Sequence, residues 1–226
     1  MEPLVIKISG SLVYPPITSY LVQLVDVVKS LRDYGYKPVL VTGGGSLARE
    51  TIGVLRNAGK NQALQDLMGI TASRLNAFLL ASLLYPHSSL RVPTNVEGVL
   101  EIYSRGLIPV VGGFEPGQST NAVALLVAEA IGGELVVDML KDAEGVYDRE
   151  PTKPGARLID RMKLADLEKI VENYKQEAGK YTLMDHLAIQ IARRSKIKIY
   201  FINGRDPWNL VRLVRGEKIG TLVEPN

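Results

Sequence analysis

The stretch Val39-Leu-Val-Thr-Gly-Gly-Gly-Ser-Leu-Ala-Arg49 constrains the fold more than any other part of the chain. Val39 to Val41 is a short apolar run of the kind found in strands buried on both faces of a parallel sheet. Gly43, Gly44 and Gly45 follow at once, and Ser46-Leu-Ala-Arg-Glu-Thr-Ile52 opens a helical pattern. Strand, glycine turn and helix start together make an anion-binding arrangement. Backbone without Cβ atoms bends sharply and approaches a ligand closely, while the helix N-terminus aims free N–H groups at it. A plain tight turn usually needs one glycine. Three in a row, with Arg49 one turn on, point to phosphate without saying whose.

Read in order, the chain repeats this pattern. Leu4 to Leu12 is a buried strand running into a small-residue turn, Ser9-Gly10-Ser11. Lys7 interrupts the apolar run. It must either escape to solvent at the strand end or serve an anion, because burying it unpaired is costly. Beside the Ser9–Ser11 turn, the anion is the favoured reading. Tyr14-Pro-Pro16 breaks the chain, and Ile17 to Tyr34 has helical periodicity ending near Gly35. Gln62 to Leu84 is a long helix with Asp66 and Arg74 among apolar residues, and Arg74 reads most simply as solvated or ion-paired. Leu107 to Val111 is a strand leading into Gly112-Gly-Phe-Glu-Pro-Gly-Gln-Ser-Thr-Asn121, after which Ala122 to Ile131 resumes as helix.

A fourth strand, Glu134 to Leu140, runs into the turn-rich segment Lys141 to Pro154, a candidate lid or nucleotide-contacting loop. Leu164 to Tyr174 and Asp185 to Arg194 read as helices, Ile197 to Ile202 as a strand, Pro207 to Arg215 as a short helix and Gly220 to Val223 as a last strand. A soft boundary near residue 133 separates two lobes with no flexible linker.

The alternation of strands and helices implies an open, mostly parallel sheet. In such a sheet ligands bind outside the carboxyl ends of the strands. The loops at 9–11, 43–45 and 112–121 all follow strands, so the topology brings three donor-rich turns to one edge. Neither standard nucleotide motif fits. The dinucleotide fingerprint needs Gly-x-Gly-x-x-Gly after the first strand, where this chain has Ser9-Gly-Ser-Leu12, and no Walker A loop is present.

Composition narrows the class further. A chain of 226 residues with 46% hydrophobic and 23% charged content can bury a full α/β core. The absence of cysteine excludes disulfides and thiolate metal sites and suits a cytoplasmic protein. Only His87 and His186 are available to a histidine-based metal site, and none is expected. No apolar run reads as the roughly 20 residues of a membrane span, and no signal-peptide pattern opens the chain. The net charge of +3 is small. Its one basic cluster, Arg193 to Lys198, lacks interleaved aromatics and reads as a solvated helix end, which sets nucleic acid aside.

Assembled, the motifs resemble the amino acid kinase family, and within it the archaeal-type uridylate (UMP) kinases. The matching pieces are Lys7-Ile-Ser-Gly-Ser-Leu12, Val41-Thr-Gly-Gly-Gly-Ser-Leu-Ala-Arg49, Asp66-Leu-Met-Gly-Ile70 with Thr71-Ala-Ser-Arg-Leu-Asn76, and Gly112 to Val123. Glu144-Gly-Val-Tyr-Asp-Arg-Glu-Pro151 and Gly220-Thr-Leu-Val223 extend the likeness over nearly the whole chain. The resemblance implies a three-layer αβα sandwich on a mostly parallel sheet of about eight strands. It implies an acceptor lobe at 1–133, an ATP lobe at 134–226, and γ-phosphate transfer from ATP to UMP with Mg²⁺ held through the nucleotide phosphates. A homo-oligomer, a hexamer built of dimers, comes with it.

By the same resemblance, Lys7 and Arg49 would be the catalytic cations. Gly44, Asp66 and the run Phe114, Glu115, Pro116, Gly117, Gln118, Ser119, Thr120 would bind UMP, Asp66 through the ribose hydroxyls. ATP would be met by Lys7, Ser9, Gly10, Ser11, Gly45 and Arg49, and by Lys141, Asp142, Tyr147 and Glu150. The chain departs from the family pattern twice. Relatives often carry Asp where Asn121 stands, and Thr-Asn-Val-Asp where it has Lys141-Asp-Ala-Glu144.

Two rivals share the fold. Isopentenyl phosphate kinases place a histidine soon after the glycine turn, where this chain has Ser46-Leu-Ala-Arg49. A molybdate or tungstate storage protein would bind an oxyanion without turnover, using more histidines than the two present.

Overall fold

The computed structural model describes residues 1–149, 151–176 and 183–225. Among them, seven strands form one sheet in the order β3-β2-β1-β4-β6-β7-β5. The strands are β1 (Glu2–Ile8), β2 (Tyr36–Thr42), β3 (Val110–Val111), β4 (Leu135–Leu140), β5 (Arg161–Lys163), β6 (Lys198–Asn203) and β7 (Thr221–Glu224). The family resemblance implied about eight. Every pairing is parallel except β6 with β7. β1 hydrogen-bonds to both β2 and β4, so the sheet runs unbroken past residue 133.

Both faces of the central strands are apolar, which is why the alternating side chains serve two cores. Val5, Val39, Val41 and Val136 face one way. They pack with α6 (Thr120–Ala130) and α8 (His186–Ser195). Leu4, Ile6, Ile8, Leu40, Val137 and Met139 face the other way, under α2 (Thr18–Ser30) and α4 (Gln62–Leu84). The remaining helices are α1 (Gly10–Val13), α3 (Gly45–Asn57), α5 (Val96–Ser104), α7 (Leu164–Gln176) and α9 (Asn209–Val214). The result is a three-layer αβα sandwich.

Some helix starts are set by side-chain caps, whereas α1, α2, α3 and α9 begin without one. Asn61 accepts from the N–H of Leu64, Ser119 from those of Asn121 and Ala122, and Asp185 from that of Ala188. The basic cluster at the end of α8 is an ion-paired helix end, Arg193 reaching Glu168 and Arg194 reaching Glu129.

Three details differ from the sequence expectation. β3 is two residues, shorter than Leu107–Val111, because Pro109 removes a ladder donor. α5 and β5 have no counterpart in the apolar pattern. α4, at 23 residues, is long and apolar enough by length and composition to cross a membrane. Within this fold 44% of its apolar window is buried and it packs on α3, β2 and β3, as a core helix does. Its outer face, however, carries Leu64, Leu67, Leu75 and Phe78, all largely exposed and spaced along one helical stripe.

Candidate active site

Because the strands are parallel, their following loops lie along the sheet's carboxyl edge in strand order. Gly112–Asn121 leaves β3, Gly43–Gly45 leaves β2, Ser9–Ser11 leaves β1, Lys141–Pro154 leaves β4, and Gly204–Pro207 leaves β6. The connections reverse direction between β1 and β4, the position where an open α/β sheet leaves a crevice. The Ser9–Ser11 turn therefore stands in the middle of the row.

The β1 and β2 turns touch through bare backbone. A Cβ on Gly10 would lie 2.2 Å from the Gly43 carbonyl oxygen, and one on Gly45 2.4 Å from the Gly10 carbonyl carbon. Gly45 also has φ +63°, a left-handed conformation that favours glycine. Asn76 on α4 donates to the Gly43 carbonyl at 2.8 Å, and Arg49 on α3 donates to the Ser11 hydroxyl at 3.0 Å. Thr120, at the start of α6, approaches from the other side: its hydroxyl would sit 3.5 Å from a Cβ on Gly43. The three glycine-containing loops meet at one point, as their positions after strands imply.

The β3 loop is braced by α4. The Ser73 hydroxyl accepts from the Gly113 N–H at 2.8 Å. Arg74 donates to the carbonyls of Gly113 and Phe114 at 3.0 and 2.9 Å. Arg74 is thus half-buried, and among the described residues its guanidinium meets loop carbonyls and no acid. Its planar fork reaches two carbonyls of one loop, which suits guanidinium geometry.

Between this loop and α3 lies a cleft of about 390 Å³. Gly44, Asp66, Gly117, Gln118, Ser119 and Thr120 line it, together with Asp185. Asp66 accepts from the Gly117 N–H at 3.0 Å and from the Gln62 side chain at 2.8 Å. Phe114, Glu115 and Pro116 do not line it. Phe114 is buried in the core, and Glu115 and Pro116 are exposed on the turn.

Lys7 projects on the α6 side of the sheet, and its register partner across the β1–β4 pair is Asp138. Its Nζ lies 3.1 Å from one oxygen of the buried Asp138 carboxylate and donates to the other at 3.3 Å. Burial pushes the Asp138 carboxyl above the ordinary carboxylate range, and the Lys7 ammonium pulls it part of the way back.

On the far side of the turn, Arg205 donates to the Lys141 carbonyl and to the Asp142 carboxylate, each at 2.7 Å. Glu144, Asn203, Arg205, Asn209 and Gly220 surround a hollow of about 400 Å³. A second of about 550 Å³ shares Glu144 and Gly220 with it. Tyr147 packs against the core beside Val146 and bridges to Leu158. Glu150 lies outside the described residues.

Sequence reasoning missed Asp138, Asp185 and the Asn203–Asn209 side of the second hollow. Each left a trace. Asp138 is the lone acid in Leu-Val-Val-Asp-Met-Leu, Asp185 precedes a helical run, and Asn203-Gly-Arg-Asp206 is a polar turn after an apolar strand.

No group of three or more Asp, Glu, His or Cys among the described residues could hold a metal ion. Asp142 and Asp185 are engaged by Arg205 and by Ser119 with Ala188, and the position after Thr120 is the amide Asn121, whose buried carbonyl oxygen has no partner among the described residues. A divalent ion carried by a ligand's phosphates is compatible with this donor set.

The amino acid kinase family model matches residues 2–203. A uridylate kinase from Aeropyrum pernix is 52% identical over 99% of this chain and all of its own length. One from Hyperthermus butylicus is 43% identical over 98% of this chain and 97% of its own. The crystal structure of uridylate kinase from Archaeoglobus fulgidus superposes with a TM-score of 0.87 at 32% identity, covering 99% of this chain and all of that one. The chain belongs to the amino acid kinase family, in its archaeal-type uridylate kinase branch.

Proposed function

We propose that this chain is a UMP kinase, transferring the γ-phosphate of ATP to UMP to give ADP and UDP, as a step of pyrimidine nucleotide synthesis. The observation that carries this is the row of loops in strand order. The cleft beside β3 and β2 takes the acceptor, the hollows beyond β4 and β6 take ATP, and the Ser9–Ser11 turn between them takes the moving phosphoryl group. The two lobes, 1–133 and 134–226, divide the work accordingly.

The chemistry asks little of such a site. An acceptor phosphate is already an anion, so no general base is needed, and catalysis reduces to alignment and charge stabilisation. Amides of Gly10, Gly44 and Gly45 surround the phosphates, the Gly43 N–H being given to the Ile8 carbonyl, and Lys7 and Arg49 supply fixed positive charge. Mg²⁺ bound through the ATP phosphates would supply charge neutralisation there. Arg205 holds Lys141 and Asp142 in place beside the hollow that takes the ATP end.

In the acceptor cleft, Asp66 accepts from the UMP ribose hydroxyls. Its Gly117 partner ties it to the β3 loop that reads the base. Hydrogen bonds to a charged partner contribute about 1.5–3 kcal/mol, so Asp66→Asn is expected to raise the KM for UMP roughly ten-fold or more with kcat little changed. An unchanged KM would return Asp66 to a helix-surface role.

The deciding experiment is an acceptor panel with ATP: UMP, CMP, dUMP, isopentenyl phosphate and acetylglutamate. UMP is expected to turn over fastest and CMP poorly, because a site that hydrogen-bonds one base edge leaves buried groups unpaired with another. Comparable kcat/KM for CMP and UMP would sink the base preference. Fast turnover of isopentenyl phosphate would move the chain to that activity, and ATP binding without turnover of any acceptor would favour an oxyanion binder.

The chain works as a homo-oligomer in the cytoplasm, a hexamer built of dimers. The apolar stripe on the outer face of α4 supports self-association, since exposed leucines and a phenylalanine in a row mark interaction surfaces.

A further inference from the structure

We propose that Asp138 is a positioning residue for the transfer, holding the Lys7 ammonium at the carboxyl end of β1. The inference rests on the function proposed above.

An acid in the middle of Leu135–Leu140 has no packing reason to be there. Its five neighbours in the strand are apolar, and its side chain is only 3% exposed. Replacing a buried ion pair by apolar groups is often neutral or stabilising, so the pair is poor material for stability alone. Geometry offers a better account. Lys7 and Asp138 are register partners in adjacent parallel strands, so their Cα positions are fixed by the ladder and not by a loop.

The Nζ atom sits 3.1 and 3.3 Å from the two carboxylate oxygens, with Lys7 the more exposed partner at 13%. The carboxylate is therefore the deeper member, and the ammonium lies toward the open edge. An ammonium has three donors, and among the described residues Lys7 gives one of them, to Asp138. The remaining donors are left for the Ser9–Ser11 and Gly43–Gly45 turns, where the phosphoryl group passes.

Lysine on four rotatable bonds is a poor fixed charge without such an anchor. Charge held rigidly before the reaction stabilises the transition state without reorganising during it. Asp138 supplies that rigidity from below while touching no substrate itself.

The test is a double-mutant cycle on kcat with ATP and UMP: wild type, Asp138→Asn, Lys7→Ala and the double variant, each checked by thermal melting. Asp138→Asn is expected to lower kcat about 10–100-fold, the loss of one charge-assisted hydrogen bond, with the KM for UMP kept within about two-fold. In the Lys7→Ala background the same substitution is expected to change kcat by less than about two-fold, because nothing remains to be positioned. A merely structural role would lower the melting temperature without that dependence on background. Wild-type kcat in Asp138→Asn overturns the inference, and so do equal losses in both backgrounds. Should Asp138→Asn melt below the assay temperature, Asp138→Leu, which suits the apolar strand, carries the same cycle. The wild-type acceptor panel separates the two failures. Turnover of a different acceptor overturns the proposed function and moves the cycle to that acceptor, whereas UMP turnover with an indifferent Asp138 overturns this inference alone.

Discussion

Lys7→Ala is expected to lower kcat about 10²–10³-fold while the KM for UMP stays near wild type, the signature of losing one preorganised donor that acts in the transition state. Charge moves from the γ-phosphate toward the β–γ bridge during transfer, and a fixed cation there favours the transition state over the ground state. Lys7→Arg should rescue poorly, because a planar fork does not fit where a compact ammonium sits against Asp138. The substitution carries a second, thermodynamic signature. Removing Lys7 leaves the buried Asp138 carboxyl without the charge that pulls its pKa down, so its native pKa rises further above the unfolded 3.8. A group raised in the native state keeps its full contribution below the unfolded pKa and loses it as pH climbs through the native one. The melting deficit of Lys7→Ala should therefore be smaller near about pH 5 than near about pH 8, and Lys7→Ala/Asp138→Asn should show no such slope. Near-wild-type kcat in Lys7→Ala would pass the catalytic role to Arg49.

Gly45→Ala should damage the protein twice over. The new Cβ would lie 2.4 to 2.7 Å from Gly10 and Ser11 backbone, and the residue's φ of +63° strains any L side chain. Neither neighbour is the movable end of a side chain, so the two turns must separate. Left-handed strain costs about 1–2 kcal/mol and overpacking typically about 1–3, together a fall in Tm of roughly 5–15 °C for a chain of this size. Displacing the turns by a fraction of an ångström to about an ångström would also cost on the order of 10²-fold in kcat/KM, since alignment is most of the catalysis. Gly53→Ala is the control. It lies in α3 with open space around its Cβ and should be neutral or stabilising by up to about 1 kcal/mol. If both variants melt and turn over like wild type, the backbone contact between the turns has no consequence.

What the sequence made legible was local. The Gly43–Gly45 turn, the Ser9–Ser11 turn and the two strands before them were readable because glycine chemistry and apolar runs act within a few residues. α4 was readable end to end because its run of helix-forming and apolar residues is long and unbroken by proline. The rest depended on distance along the chain. Arg74 looked like an ordinary solvated charge because the carbonyls it holds are 39 and 40 residues away. Asp138 drew no reading at all, because its partner is 131 residues off. The antiparallel direction of β7 and the three-residue β5 leave no mark in the apolar pattern. α5, with Gly98 inside it, offered little more than the Asn95 cap. Phe114 reads in the sequence as a ligand contact because an aromatic stands in a polar loop; in the structure it is buried in the core beneath that loop.

α4 has two faces with different duties. One carries Asp66, Ser73, Arg74 and Asn76 toward the acceptor cleft and its loops, while the other shows the stripe of Leu67, Leu75 and Phe78 to solvent. A subunit seated on that stripe would remove the helix's freedom to rock, and the acceptor would then bind a wall already held still. By reciprocity, filling the cleft would tighten the contact between subunits to the same degree. In the proposed assembly, dilution and acceptor affinity would be two handles on one helix, and Phe78→Lys, by weakening association, would be expected to loosen the grip on the acceptor without changing a residue of the cleft.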